Sequence, residues 1–216
     1  MGLRVEQLSL GPIGTNCYVV RLDAGPMDAA VVDPSGDATE LRLTLARLGA
    51  RCAGILVTHG HIDHLLGVAD LAEGTGAKVY MPEGERMRLE GPEPMQALGG
   101  MTLRAYRPDV LLEGGEKVEV AGISFHVLAV PGHSPAHLAY YADGCLFSGD
   151  VLFAGSVGRV DLPGADWDTL IDSIRKLIEQ LPPETVVYPG HGPLTTLGDE
   201  LARNPFLAEL RGEAAG

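Results

Sequence analysis

The sequence is poor in cysteine, in cationic side chains and in long apolar runs, and each shortage removes a class of protein. Its three cysteines, Cys17, Cys52 and Cys145, are odd in number, far apart and without a Cys-x-x-Cys pair. That spacing suits neither a disulfide framework nor a thiolate zinc cluster, so each thiol is expected to be a small buried apolar group in a reducing compartment. Lysine and arginine number 16 against 29 aspartates and glutamates, for a formal net charge of -13 at pH 7. A polyanion would approach that surface against its field, so nucleic acid is not an expected partner. No apolar stretch approaches the ~18 residues of a membrane span, and the first seven residues, Met1 to Gln7, lack a signal-peptide core. Glu6 stands where myristoylation needs Ser or Thr. A cytoplasmic protein with no membrane partner is the expectation.

What is present describes an ordinary globular chain of 216 residues, with 45% hydrophobic and 21% charged side chains. One domain over 1–216 is expected, with a short C-terminal tail from about residue 205. Frequent Gly and Pro divide it into β-type runs alternating with helical patterns. A meander is predicted at the start, with strands over Arg4 to Leu10, Cys17 to Leu22 and Ala29 to Val32 and turns at Gly11-Pro12 and Gly25-Pro26. Asp37 caps a helix with Leu41, Leu45 and Leu48 on one face. The apolar run 53–57 predicts a buried strand. A helix from about His64 to Glu73 and a strand over Lys78 to Met81 follow. The stretch from Pro82 to Pro108, rich in Gly, Pro, Met and Arg, reads as a helical or looped insert. Further strands are predicted over Lys117 to Val120 and Ile123 to Val130, and a hairpin over Leu138 to Tyr141 and Cys145 to Ser148 turns at Asp143-Gly144. Asp166 caps a helix whose apolar positions run from Leu170 to Leu181 and which Pro182-Pro183 ends. Thr185 to Tyr188 forms the last strand, and a short helix covers Leu197 to Arg203.

Chemistry concentrates in three short segments that hold five of the seven histidines: Thr58-His59-Gly60-His61-Ile62-Asp63-His64, Pro131-Gly132-His133-Ser134 and Pro189-Gly190-His191-Gly192. Four potential ligands in six residues is far above what the composition supplies by chance. His59, His133, His191 and Asp150 each come just after a β-type run, where loops on a rigid scaffold carry catalytic groups. His59 and His61, two apart in an extended segment, point to the same side and can reach one ion. If a helix starts near Asp63, then Asp63 and His64 project elsewhere, toward a second ion. The spacing divides the set into His59, His61 and His133 on one ion and Asp63, His64 and His191 on the other, with Asp150 bridging through its two oxygens. Such a set leaves positions open for water at both ions, the mark of a catalytic site. His126, inside a strand, is expected to be an ordinary half-exposed residue, and His137 a hydrogen-bonding neighbour of the ligands.

These motifs, together with Gly149-Asp150, resemble the metallo-β-lactamase superfamily. Thr15-Asn16-Cys17-Tyr18, the run from Phe147 to Phe153, the run from Gly155 to Gly164 and Asn204-Pro205-Phe206-Leu207 resemble its compact glyoxalase II-like branch. The resemblance spans about residues 3 to 207. It implies an α/β (α+β) fold, a four-layer αββα sandwich with a dinuclear site at one edge between the sheets, and it assigns the seven ligands as the spacing does. The implied cofactors are two divalent metal ions, zinc first, with iron or manganese as alternatives that the mixed imidazole and carboxylate set also suits.

The implied reaction is hydrolysis of a small thioester such as S-lactoylglutathione by attack of a metal-bound hydroxide, with Asp63 and Asp150 as the catalytic carboxylates. The chain departs from the larger glyoxalase II enzymes at Gly60, where they commonly carry another histidine, and in stopping soon after Phe206, short of the helical region whose basic surface holds glutathione. Arg86, Arg88, Arg104, Arg107 and Lys117 are candidates for that task, whereas Arg159 with Asp161 reads as a loop-bracing ion pair. A persulfide dioxygenase with one iron on His59, His133 and Asp150 is the runner-up, and a non-catalytic metal-binding protein is the third reading. β-Lactam hydrolysis and RNA processing, also superfamily activities, sit poorly with a cytoplasmic and an acidic protein.

Overall fold

The computed structural model describes residues 2–25, 27–91 and 102–212. The first sheet is built from β1 (Leu3–Leu10), β2 (Thr15–Leu22), β3 (Asp28–Val32), β4 (Arg51–Leu56), β5 (Lys78–Pro82) and β6 (Val110–Leu112), in that spatial order. The strands β1 to β3 form the expected antiparallel meander, and from β3 to β6 the pairing is parallel. The second sheet holds β7 (Lys117–Val120), β8 (Ile123–Ala129), β9 (Leu138–Ala142), β10 (Cys145–Gly149), β13 (Val186–Pro189) and β14 (Thr195–Thr196), while β11 (Leu152–Phe153) and β12 (Ser156–Val157) form a ribbon of their own.

Alternating side chains explain the layering. In β2, Cys17 and Val19 face outward to the helices α1 (Ala38–Leu48) and α3 (Val68–Thr75), whereas Tyr18 and Val20 face the second sheet. In β3, Ala29 and Val31 take the outer face and Ala30 and Val32 the inner one. Both faces of these strands are therefore buried, which is why they read as continuous apolar runs. From the second sheet, Phe125, Val127, Tyr140 and Phe147 fill the space between the sheets. Ala139, Leu146 and Val187 turn outward onto α5 (Trp167–Gln180) and α6 (Leu197–Arg203). The result is the α/β/β/α order the resemblance implied. Full burial of each large side chain contributes about 1.5–3 kcal/mol, so the inter-sheet layer and the two outer layers each contribute substantially to cohesion.

Helix boundaries follow local chemistry. The Asp37 carboxylate accepts from the Thr39 N–H, and Gly49 ends α1 in the left-handed conformation. Asp166 accepts from the Thr169 N–H, and α5 stops at Leu181 ahead of Pro182-Pro183. Asp143 and Gly144 both adopt positive φ in the β9–β10 turn, as an Asp-Gly hairpin requires.

Several expectations need correction. The helix expected from about His64 to Glu73 is two helices, α2 (Ile62–Leu65) and α3, because the Gly67 N–H donates to the Pro34 carbonyl and turns the chain between them. In the insert, a 3-10 turn over Glu83–Glu85 leads into α4 (Arg86–Glu90), while the expectation for 92–101 lies outside the described residues. The strands β6, β11, β12 and β14 have two or three residues each, too few for a periodic signal. Cys17 and Cys52 are buried as expected and Cys145 is half-buried; all three are free thiols. Leu207, in a 3-10 segment over Pro205–Arg211, is buried in the outer core of the second sheet. No helix among the described residues is long and apolar enough to cross a membrane.

Gly132 joins α5 to the loop after β8. Its φ is 134°, a Cβ there would lie 2.3 Å from the Leu170 Cα, and its carbonyl accepts from the Asp166 N–H. Gly132→Ala is expected to destabilise the fold by more than about 1 kcal/mol, lowering the thermal midpoint by at least about 2–4 °C in a calorimetric scan. An unchanged midpoint would show that α5 is not held this closely.

Candidate metal centre

The seven residues singled out by the sequence lie together. His59 and His61 follow β4, with His61 at the N-cap of α2 and Asp63 and His64 in its single turn. His133 follows β8, Asp150 follows β10 and His191 follows β13, so all three ligand segments and Asp150 leave the C-terminal ends of strands at one edge of the sandwich.

Two groups of donor atoms form there, and a third, His59, His64 and Asp150, links them. His59, His61 and His133 bring ring nitrogens together: His61 Nδ1 is 3.0 Å from His59 Nε2 and 2.8 Å from His133 Nε2. Asp63, His64 and His191 form the other group, in which Asp63 Oδ2 lies 3.3 Å from Nε2 of both histidines. Asp150 stands between the two. Its Oδ1 is 3.3 Å from His64 Nε2, and its Oδ2 is 3.5 Å from both His133 Nε2 and His191 Nε2. Both sets drawn from spacing come together in space, and the linking group crosses between them. Gly190 presses directly on this carboxylate and Gly158 on the backbone of the same residue: a Cβ on Gly190 would lie 2.1 Å from Oδ1, and one on Gly158 would lie 1.9 Å from the Asp150 carbonyl oxygen.

The outward nitrogens are committed elsewhere, which sets the tautomers. His59 Nδ1 donates to Thr58 Oγ1 at 3.0 Å, the Thr58 hydroxyl donates to Asp33 Oδ2 at 2.7 Å, and His64 Nδ1 donates to the same oxygen at 2.9 Å. His133 Nδ1 donates to the Arg159 carbonyl at 2.9 Å. In their neutral forms His59, His64 and His133, with Nδ1 as the donor, therefore present an Nε2 lone pair inward. In the first group His61 has at most one proton to share among three nitrogens.

A cation resolves this arrangement. His64 Nε2 and Asp150 Oδ1 are buried with no hydrogen-bond partner, and among the described residues only histidines lie within ion-pair distance of Asp63 and Asp150. Burying carboxylates without a compensating charge is costly, and orphaned buried polar atoms are rare. Protonation states point the same way. Burial pushes His59 far below the ordinary histidine range, and burial with the neighbouring His133 brings His61 down to about 4. Burial alone would raise Asp63, yet the His191 hydrogen bond and the charge of His64 bring it down to about 2. Burial would likewise raise Asp150, but His64 and then His191 hold it ionised. For His64 burial opposes the charge and is overcome by Asp150 and Asp33. Neutral imidazoles at His59 and His61 and ionised carboxylates at Asp63 and Asp150 are the forms that bind a metal ion. Imidazole and carboxylate donors together suit zinc, iron or manganese.

The two remaining histidines are placed as expected. His137 is buried, stacks on His59 with ring centroids 4.5 Å apart, and accepts from the Asp150 N–H at 3.2 Å. His126 is exposed on β8, beside Tyr141 and away from the site. Arg159 and Asp161 do form an ion pair, and both side chains are exposed.

Three supporting residues escaped the sequence reading. Asp33 accepts from the Thr58 N–H as well as from Thr58 Oγ1 and His64, in a positive-φ conformation at the end of β3. Its only signal was an acid directly after the buried run Ala29–Val32. Thr15 donates to Asp63 Oδ2 at 2.8 Å. Glu85, buried within the insert, accepts from the Gly60 N–H and Ser134 Oγ at 2.5 Å each and from the Ala136 N–H at 3.2 Å. It ties the His59–His61 loop to the His133 loop. Loss of a group that orients ligands typically lowers metal affinity about 10–100-fold. Glu85→Ala is therefore expected to lose one ion to a competing chelator at that much lower chelator concentration while keeping the other; equal retention of both would show that the loops hold themselves.

Comparison with known proteins agrees with this geometry. Residues 10–191 match the family model of the metallo-beta-lactamase superfamily. The hydroxyacylglutathione hydrolase GloC of Haemophilus influenzae is 33% identical over 210 residues, covering 95% of this chain and 98% of that protein. Among solved structures, BLEG-1 B3 metallo-beta-lactamase superposes with a TM-score of 0.88 at 41% identity, over 94% of this chain and 99% of the other. TTHA1623 in a di-iron-bound form gives 0.84, also at 41%, over 94% and 100%. ETHE1 from Myxococcus xanthus gives 0.77 at 27%, over 95% and 85%. With its histidine and aspartate donors gathered at one edge of an αββα sandwich, the chain belongs to the metallo-beta-lactamase superfamily.

Proposed function

We propose that this protein is a dinuclear metal-dependent hydrolase of small thioesters such as S-lactoylglutathione or a related hydroxyacyl-thiol. The observation that carries the reading is the completeness of both donor groups around a shared Asp150, at the floor of an open cleft. A structural metal site is closed by its ligands; this one faces a cavity of about 740 Å³ lined by His61, Asp63, His133, Asp150 and His191. His59, His61 and His133 would hold one ion, Asp63, His64 and His191 the other, and Asp150 both. Two such ions, zinc first and iron or manganese as alternatives, supply Lewis acidity and bring the pKa of a bound water from about 15.7 to about 7.

The chain's own residues do the rest. Asp150 keeps the two groups in one geometry. Asp63 Oδ2, the oxygen that faces His64 and His191 Nε2, also accepts from Thr15, which holds the carboxylate in place for its ligand role. Ile62, Phe153, Val157 and Leu162 form an apolar wall that keeps bulk water from the acyl carbon. A thiol has a pKa near about 8.5, so the leaving group departs as thiolate without a dedicated acid, and a thioester asks for little beyond this inventory. The similarity to a hydroxyacylglutathione hydrolase supports the substrate class.

A second reading, persulfide dioxygenation at one iron on His59, His133 and Asp150, is favoured by the likeness to ETHE1. It leaves Asp63, His64 and His191 without a task, although they stand as a complete donor group. The purified protein, with its metal content measured, can be assayed in parallel for S-lactoylglutathione hydrolysis and for oxygen uptake with glutathione persulfide. Thioester cleavage without oxygen uptake is expected, and the reverse would overturn the proposal.

Asp150→Ala is expected to lose both ions and essentially all activity, measured by elemental analysis and the same assay. Two tightly held ions in that variant would rule out a bridging role. His126→Ala, remote from the site, should keep full metal content.

A further inference from the structure

The cleft holds a group that breaking a thioester does not itself require. Besides the donors and the apolar wall, Arg88 and Arg159 line it. Arg159 is committed, since its Nε and Nη2 donate to the two Asp161 oxygens at 2.6 and 2.7 Å. Of the other arginines considered from the sequence, Arg104 is held by Asp70 and Glu73, and Arg86 and Arg107 do not line the cleft. Arg88 lines it and has no acidic partner among the described residues. The nearest acid one turn before it, Glu85, has its carboxylate turned inward onto Gly60, Ser134 and Ala136.

Gly60 sets where the Arg88 stem lies. A Cβ at Gly60 would lie 2.7 Å from Arg88 Cγ and 2.9 Å from Arg88 Cβ. The aliphatic stem of Arg88 therefore rests on the bare backbone between His59 and His61, and the exposed side chain is part of the cleft lining that His61, Asp63 and His133 share. In a chain of net charge -13, an anionic substrate meets a repulsive field that a local cation at the site offsets. A guanidinium fork matches carboxylate and phosphate oxygens alike.

We propose that Arg88 is an anion subsite, which selects acyl thioesters whose thiol half carries a carboxylate or phosphate over those of neutral thiols. This inference rests on the thioester reading. In a hydroxyacyl thioester the acyl half gains a carboxylate only on hydrolysis, so the anion that Arg88 meets in the substrate is on the thiol half. Arg88 then acts on binding and not on the chemical step.

Binding of non-hydrolysable thioethers to the metal-loaded protein, measured by calorimetry, tests this apart from turnover. Three probes share one alkyl group: S-hexylglutathione, which carries carboxylates; S-hexyl-coenzyme A, which carries phosphates; and the hexyl thioether of N-acetylcysteamine, which is neutral. Arg88→Ala is expected to weaken one or both anionic probes about tenfold, as loss of one charge-assisted contact in a solvated cleft implies, and to leave the neutral probe within about twofold. Arg88→Lys should recover most of the loss. The probe that suffers identifies the anion as carboxylate or phosphate. With the matching thioester, KM rises about tenfold at unchanged kcat. Equal effects on all three probes, no effect on either anionic probe, or no binding of an anionic probe by the unaltered protein would each overturn the subsite. Failure of the unaltered protein to cleave any thioester would instead count against the proposed reaction.

Discussion

One buried carboxylate organises the metal centre. Asp33 lies at the end of β3, receives the Thr58 N–H and hydroxyl from the end of β4, and receives His64 Nδ1 from α2. Through Thr58 it also fixes His59. A carboxylate this far from water is tolerable only when its lone pairs are taken, and here three donors take them. The same bonds orient two imidazoles so that their free nitrogens point inward. An apolar residue at this position would leave three donors without an acceptor and both histidines free to turn.

The second sheet is registered to the first by a comparable device at the opposite side of the site. The Asn16 side chain donates to the Pro189 and Gly192 carbonyls, its backbone N–H donates to Gly190, and the Tyr18 hydroxyl donates to Pro189 at 2.6 Å. These bonds run from β2 to the loop that carries His191. The stretch Thr15-Asn16-Cys17-Tyr18 thus has two tasks at once: Thr15, Asn16 and Tyr18 reach across to the site, while Cys17 packs beneath the helices. A site assembled from both sheets needs such cross-bonds, because the apolar layer between them is indifferent to small slides.

Ligands were legible in the sequence because their signal is local. His59, His61, Asp63 and His64 fall within six residues, and the turn of a helix starting at Ile62 is enough to send the last two into a second donor group. The inner and outer strand faces were equally legible as apolar runs bounded by Gly and Pro. Asp33, Thr15 and Glu85 were not, since each acts on a residue 25 or more positions away. An isolated Asp, Thr or Glu has no spacing to betray it. The break in the helix after α2 was hidden for a similar reason: Gly67 is tolerable in a helix, and only its contact with the distant Pro34 carbonyl decides against one.

The glycines packed against Asp150 make the centre unequal on its two sides. Gly158 behind the Asp150 backbone and Gly190 behind its carboxylate leave no room for even a methyl group. The front is different: Ile13, Phe153 and Leu162 border an open cavity, and their bulk can change without disturbing a ligand. A change of side-chain size is therefore accommodated on the cleft side of the donors and refused behind them, so the shape of the cavity can be altered separately from the geometry of the donors.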